Sequence, residues 1–201
     1  MAAGDSAVSI CSDALILLGA KPISSFTDGT DESNTCDRLY PNVRDMTLMM
    51  YPWSFAYKKM KLSRLITEPV NEWRYEYQMP GDRLGNPRAV FNSDGVGARP
   101  VQNWEILGDR LYSNEKVVVI DYPFQTPEFA MPQYFVQLMK YMMAWHLAYP
   151  ITEVQAKSEY WQAVAVGGDG RSGYMRQAMN IDGQGQPPKG FEDFSLIAAR
   201  F

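Results

Sequence analysis

Apolar residues recur every three or four positions near the start of the chain, where Ile10, Cys11, Ala14, Leu17 and Leu18 form one stripe, and this spacing predicts a first helix. Asp5 and Ser6 offer caps at its start, and Gly19 followed by Pro22 marks its end. A polar, turn-rich stretch, SSFTDGTDESN (24–34), then supplies caps for a longer second helix. Its apolar positions, Cys36, Leu39, Tyr40, Val43, Met46, Met50 and Trp53, again advance by three or four. Pro52 falls inside that pattern, in YPWSFAYKK (51–59). Proline removes one helical hydrogen bond and crowds the preceding turn, so the expectation is a kinked helix with an elbow at Pro52 and with Trp53 and Phe55 as packing anchors.

Between about 70 and 126 the pattern shortens to runs rich in Tyr, Trp and Val. Alternation through Trp104 and Ile106, the turn Gly108-Asp109, then Leu111 and Tyr112 predicts a β-hairpin, and VVVIDY predicts a buried strand. FNSDGVGARPVQN (91–103) has the composition of a loop. A third helix is expected from Pro132 to about Tyr149, stopped by Pro150 and apolar on nearly every side, so that it must be covered all round. A fourth starts near Thr152 and carries Tyr160, Trp161 and Val164 before GGDGRSG (167–173), where the helix breaks or restarts in GYMRQAMNI. The sequence after about residue 182 is rich in Gly and Pro, then aromatic, and suggests an extended tail.

The fold class expected is mainly α with a β insertion (α+β): about four helices, including the kinked second one, and a small antiparallel sheet between helices 2 and 3. The corresponding division is a discontinuous helical bundle over 1–68 and 128–182, a β-rich insertion over 69–127 and an extended tail over 183–201.

Composition narrows the function. With 46% apolar and 21% charged residues the 201-residue chain is an ordinary globular protein. Its net charge of −4 argues against a surface built to grip phosphate backbones. The N-terminus lacks the pattern of a secretory signal, and polar residues recur through the most apolar window, 131–150, which argues against a membrane span. Cys11 and Cys36, the only cysteines, fall on apolar helix faces and are expected to be reduced core thiols.

Catalytic patterns are weak. His146 is the only histidine, has no partner residues for a metal or triad, and is expected to be structural. The GGDGRSG stretch lacks the Lys-Ser/Thr ending of a phosphate loop. In EWRYEYQ, Glu72 and Glu76 stand among Trp73, Tyr75 and Tyr77, the residue types that handle sugars, and are the acids of an alternative reading as a hydrolase of bacterial surface polysaccharide. A carbohydrate-binding module using the same aromatics is a third reading. Strand alternation places the three aromatics on one face and the two carboxylates on the other, which favours a half-buried strand instead. No cofactor and no metal are expected.

The order of pieces resembles the phage head-to-tail adaptor family, also called tail tubular protein A. The pieces are ALILLGAKPI, an acidic loop, RLYPNVRDMTLMMYPWSFAYKKMKL, a Tyr-rich β insert ending DYPF, and PQYFVQLMKYMMAWHLAYPIT followed by EYWQ. The resemblance covers residues 8 to about 165. It implies a helical bundle with a β-rich insertion and a ring of about a dozen copies between the capsid portal and the tail nozzle or tube. DNA would pass through that ring without sequence-specific binding, and the protein would reside at the head–tail junction of the virion after assembly in the host cytoplasm. An acidic channel wall would repel the passing phosphates. The tail residues Phe191, Phe194, Leu196, Ile197 and Phe201 form an apolar peptide suited to docking on a neighbouring subunit or partner ring.

Overall fold

The computed structural model describes residues 5–67, 69–168 and 172–185. It is α+β, with five helices and two small antiparallel sheets. Helix α1 (Ala7–Leu18) opens on a reciprocal cap between Ser6 and Ser9 and closes on Gly19 in the left-handed conformation. Helix α2 (Asp31–Met49) is capped by Thr30, whose hydroxyl accepts from the Ser33 amide. Helices α3 (Gln133–Thr152), α4 (Gln155–Ala165) and α5 (Gly173–Gln184) complete the helical part.

The apolar circumference of α3 is covered within the chain. Nine of its residues are buried, from Phe135 through Met139, Met142 and Met143 to Ala148, against α1, α2, α4 and α5. Contrary to expectation, α3 does not stop at Pro150 but runs two residues further, to a left-handed Glu153 whose amide bonds to the Tyr149 carbonyl. So close to the helix end proline forfeits a single backbone bond, and the turn survives it.

A second correction concerns α2. The helix is not kinked by Pro52: it ends at Met49, three residues earlier, and the chain passes through a single 3-10 turn (Ser54–Ala56) into strand β1 (Tyr57–Lys61). The residue before a proline is pushed out of the helical region, which favours termination over bending here. The proline that α2 does carry inside is Pro41, exposed on the helix surface.

The single expected sheet is two sheets. One has the order β1, β7 (Val119–Pro123), β3 (Ala89–Phe91), β4 (Pro100–Val101); the other has β2 (Tyr75–Gln78), β6 (Arg110–Ser113), β5 (Trp104–Leu107). The predicted hairpin is present as β5–β6, turning at Gly108 with φ 61°. VVVIDY supplies β7, buried throughout. The stretch 91–103 is less loop-like than its composition, because Phe91 pairs with Pro100, and Val101 with Val90, between β3 and β4. Strand β1 precedes the expected insertion boundary at residue 69 and pairs along its length with β7. A second apolar cluster, with Tyr77, Val90, Leu111, Ile120 and Tyr122, joins residues of both sheets and is separate from the helical one.

In GGDGRSG the helix breaks and a new one starts. Gly167 and Gly173 both have positive φ, 74° and 59°, and the Gly167 amide closes α4 on the Gln162 and Ala163 carbonyls. A Cβ at Gly173 would stand 2.7 Å from the Val164 carbonyl oxygen and 2.9 Å from that of Ala163. Gly173→Ala therefore loses about 2–4 kcal/mol of stability, from left-handed strain plus overpacking against backbone that cannot yield. Urea unfolding followed by circular dichroism will register the loss.

Candidate functional site

The YPWSFA block forms the junction of α2, α3, α5 and the first sheet. The end of α2 leaves carbonyl groups without helical partners. The Thr47 carbonyl, reached by the Met50 amide only at 3.3 Å, accepts the Trp53 indole N–H at 3.0 Å, while the Thr47 hydroxyl donates back to the Val43 carbonyl at 2.6 Å. Trp53 is thereby folded under the end of its own helix and is fully buried. Its ring meets Phe135 edge to face at 5.1 Å and Tyr51 at 4.9 Å, and Phe55 meets Phe135 at 4.9 Å. The two expected anchors thus pack on α3, whereas Pro52 is exposed. The Ala56 carbonyl then accepts from the Phe124 amide at 3.0 Å, which ties the turn to the end of β7.

The sequence reading missed the polar centre of this junction. Asp182 of α5, 3% exposed, accepts from the Ser54 amide at 3.0 Å, the Ser54 hydroxyl at 2.7 Å and the Tyr134 hydroxyl at 2.6 Å. Burial first, then the adjoining carboxylate, push the Tyr134 phenol well above its usual range, so it remains a donor. The signal was present: Met175, Ala178 and Asp182 are spaced as the buried stripe of a helix, and an acid at a stripe position calls for donors.

Outside this knot the C-terminal face of α2 is apolar and uncovered. Met46, Met49 and Met50, at helical spacing, are 41%, 47% and 39% exposed. Met49 reaches the 82–85 loop, where its Cε would lie 2.6 Å from a Cβ on Gly85.

The sugar-handling constellation is not assembled. Strand β2 begins only at Tyr75, so Glu72 and Trp73 lie in the preceding loop. Tyr77 is a core residue whose hydroxyl donates to the Glu115 carbonyl, and the Trp73 indole donates to Glu105 at 2.9 Å. Glu76 faces Arg110 at 3.5 Å and accepts from the Tyr112 hydroxyl, while Glu72 is exposed, with no contact joining the two acids. His146 has a buried Nε2 without a hydrogen-bond partner, and burial lowers its pKa, keeping the ring neutral. Cys11 and Cys36 are free and buried and share a hydrogen bond between α1 and α2, which together with burial pushes the Cys11 thiol up. Among the described residues there is no cluster of metal-ligating side chains, and no helix is long and apolar enough to cross a membrane. The expected docking residues Phe191, Phe194, Leu196, Ile197 and Phe201 lie outside the described residues.

No protein-family model matches the chain, and no curated protein is significantly similar to it.

Proposed function

We propose that the chain is a structural virion protein, a head-to-tail adaptor that forms an oligomeric ring between the capsid portal and the tail nozzle or tube. The observation that carries this reading is the uncovered methionine face of α2. Apolar surface of this kind is stable in water only at a cost, and a contiguous patch marks a place where another molecule sits. Methionine suits such a contact because its flexible, polarizable side chain conforms to an irregular partner. The element order supports the same reading: helices flank an inserted pair of sheets, in the sequence of pieces that resembles the adaptor family. The net charge also agrees with passage of DNA past the protein, since acidic residues outnumber basic ones.

The deciding experiment is electron microscopy of the protein mixed with the portal ring of the same phage. A ring of about a dozen copies seated on one end of the portal is the expected result. Met46→Glu combined with Met50→Glu lowers its occupancy at least tenfold while leaving the thermal midpoint nearly unchanged, because both side chains already face water. A wild-type chain that leaves the portal bare sinks the proposal. A monomeric chain in the absence of portal does not, because the portal supplies the template.

A further inference from the structure

Two arginines line one cleft in a chain whose net charge is −4, and neither meets a carboxylate among the described residues. Residues 63–65 run beside β2, with Arg64 bridged to Tyr77 and the Leu65 amide bonded to the Glu76 carbonyl at 2.8 Å. At the start of β2 the Arg74 amide donates to Asn114 Oδ1 at 3.1 Å. Both backbones are therefore fixed, and a cleft of about 280 Å³ lies between them, lined by Arg64, Leu65, Ile66, Thr67, Arg74 and Tyr75. The Arg64 guanidinium lies 5.0 Å from the Tyr75 ring centre, and neither arginine forms an ion pair among the described residues. Within the lining, Ile66 is fully exposed.

A guanidinium presents a planar fork of donors that matches a carboxylate, and two in one cleft, with apolar side chains beside them, select an acidic segment flanked by apolar residues. The chain contains one outside the described residues: Phe191-Glu192-Asp193-Phe194, within KGFEDFSLIAARF. We infer that the C-terminal segment of this chain docks in the Arg64–Arg74 cleft, its two carboxylates meeting the two guanidinium groups and its phenylalanines covering Ile66. The inference rests on the cleft and on the tail's own sequence and does not depend on the adaptor reading. The partner it names is the chain itself, in the same copy or an adjacent one.

Hydrogen–deuterium exchange of the full chain, read by mass spectrometry over residues 189–197, tests it. In the wild-type protein these amides exchange at least tenfold more slowly than in the Arg64→Glu/Arg74→Glu variant, with α3 unchanged in both. Glu192→Lys/Asp193→Lys gives the same loss of protection and changes none of the described residues, so it remains decisive if the arginine variant folds poorly. Joining the two charge reversals in one chain restores protection. Equal exchange of the tail in the wild-type and Glu192→Lys/Asp193→Lys proteins overturns the inference. So does tail protection that survives in a folded Arg64→Glu/Arg74→Glu chain, since the tail then covers some other surface. Dilution of the wild-type chain separates the two geometries: protection that falls with concentration reports docking between copies, and protection that does not reports docking within one.

Discussion

Trp53→Ala will lower the unfolding free energy by about 3–5 kcal/mol, the range for removing a large aromatic from a packed core. The position gives every reason for the upper part of that range. Trp53 is fully buried, its ring is bounded by Tyr51, Phe55, Tyr134 and Phe135, and these belong to two different segments that the ring holds apart. Collapse into the space left would require α3 to move against α1, α2, α4 and α5 at once. The indole N–H adds a separate contribution, because it satisfies the Thr47 carbonyl at the end of α2. Trp53→Phe separates the two effects: it keeps most of the buried ring, leaves that carbonyl with only the longer bond from the Met50 amide, and costs about 1–3 kcal/mol. Pro52→Ala, next door, changes stability by no more than about 1 kcal/mol, since Pro52 is exposed and stands outside the helix. Urea unfolding of the three variants followed by far-ultraviolet circular dichroism gives the ranking; a Trp53→Ala loss below that of Trp53→Phe would show that the ring does not organise the junction.

The contrast between Trp53 and Pro52 also shows what could be read from the chain alone. Helical periodicity located α1, a long apolar run between Pro132 and Pro150 located α3, and alternation about a glycine turn located the β5–β6 hairpin, because in each case neighbouring residues determine the local conformation. Trp53 also falls on the periodic stripe of α2, and it does pack where that stripe points, yet it arrives there through a turn rather than along a helix. Period alone does not distinguish a stripe continued by helix from one continued by a chain that folds back under the helix end. The same limit hid β1: YKKMK falls within the expected helical range 1–68, but pairing with the distant β7 makes it a strand. Likewise Met46 and Met50 were assigned to the buried stripe of α2, whereas Thr47 and Leu48 are the residues buried there. Near its end α2 turns its other side to the core, to meet Trp53. Long-range partners decide all three cases, and they carry no local mark.

Asp182→Ala will cost about 2–4 kcal/mol, the second large effect, and it will do so through polar groups rather than through volume. The carboxylate is nearly inaccessible to water and has no Lys or Arg within ion-pair distance among the described residues; its charge is met by the Ser54 amide, the Ser54 hydroxyl and the Tyr134 hydroxyl. Hydrogen bonds to a charged acceptor are the strong kind, and deleting the acceptor leaves three donors in a site that water enters poorly. Asp182→Asn keeps the shape, and with its oxygen in the place of Oδ1 it retains the bonds from the Ser54 and Tyr134 hydroxyl groups while its amide nitrogen meets the Ser54 amide donor against donor; about half the loss is expected. Tyr134→Phe removes a single donor and costs about 1–2 kcal/mol. Because Tyr134 and Asp182 share a bond, their losses are not additive, and the double-mutant cycle yields a coupling of about 1 kcal/mol or more. The result bears on more than stability. The contacts of Asp182 with Ser54 and Tyr134 link α5 to the turn after α2 and to the start of α3, and α5 leads directly into the C-terminal segment. Loss of the carboxylate therefore frees α5 locally before the rest of the bundle opens. Hydrogen exchange will show Asp182→Ala accelerating the α5 amides by a larger factor than those of α1. An equal acceleration of both helices would mean that Asp182 supports the fold as a whole instead of fixing the helix from which the tail departs.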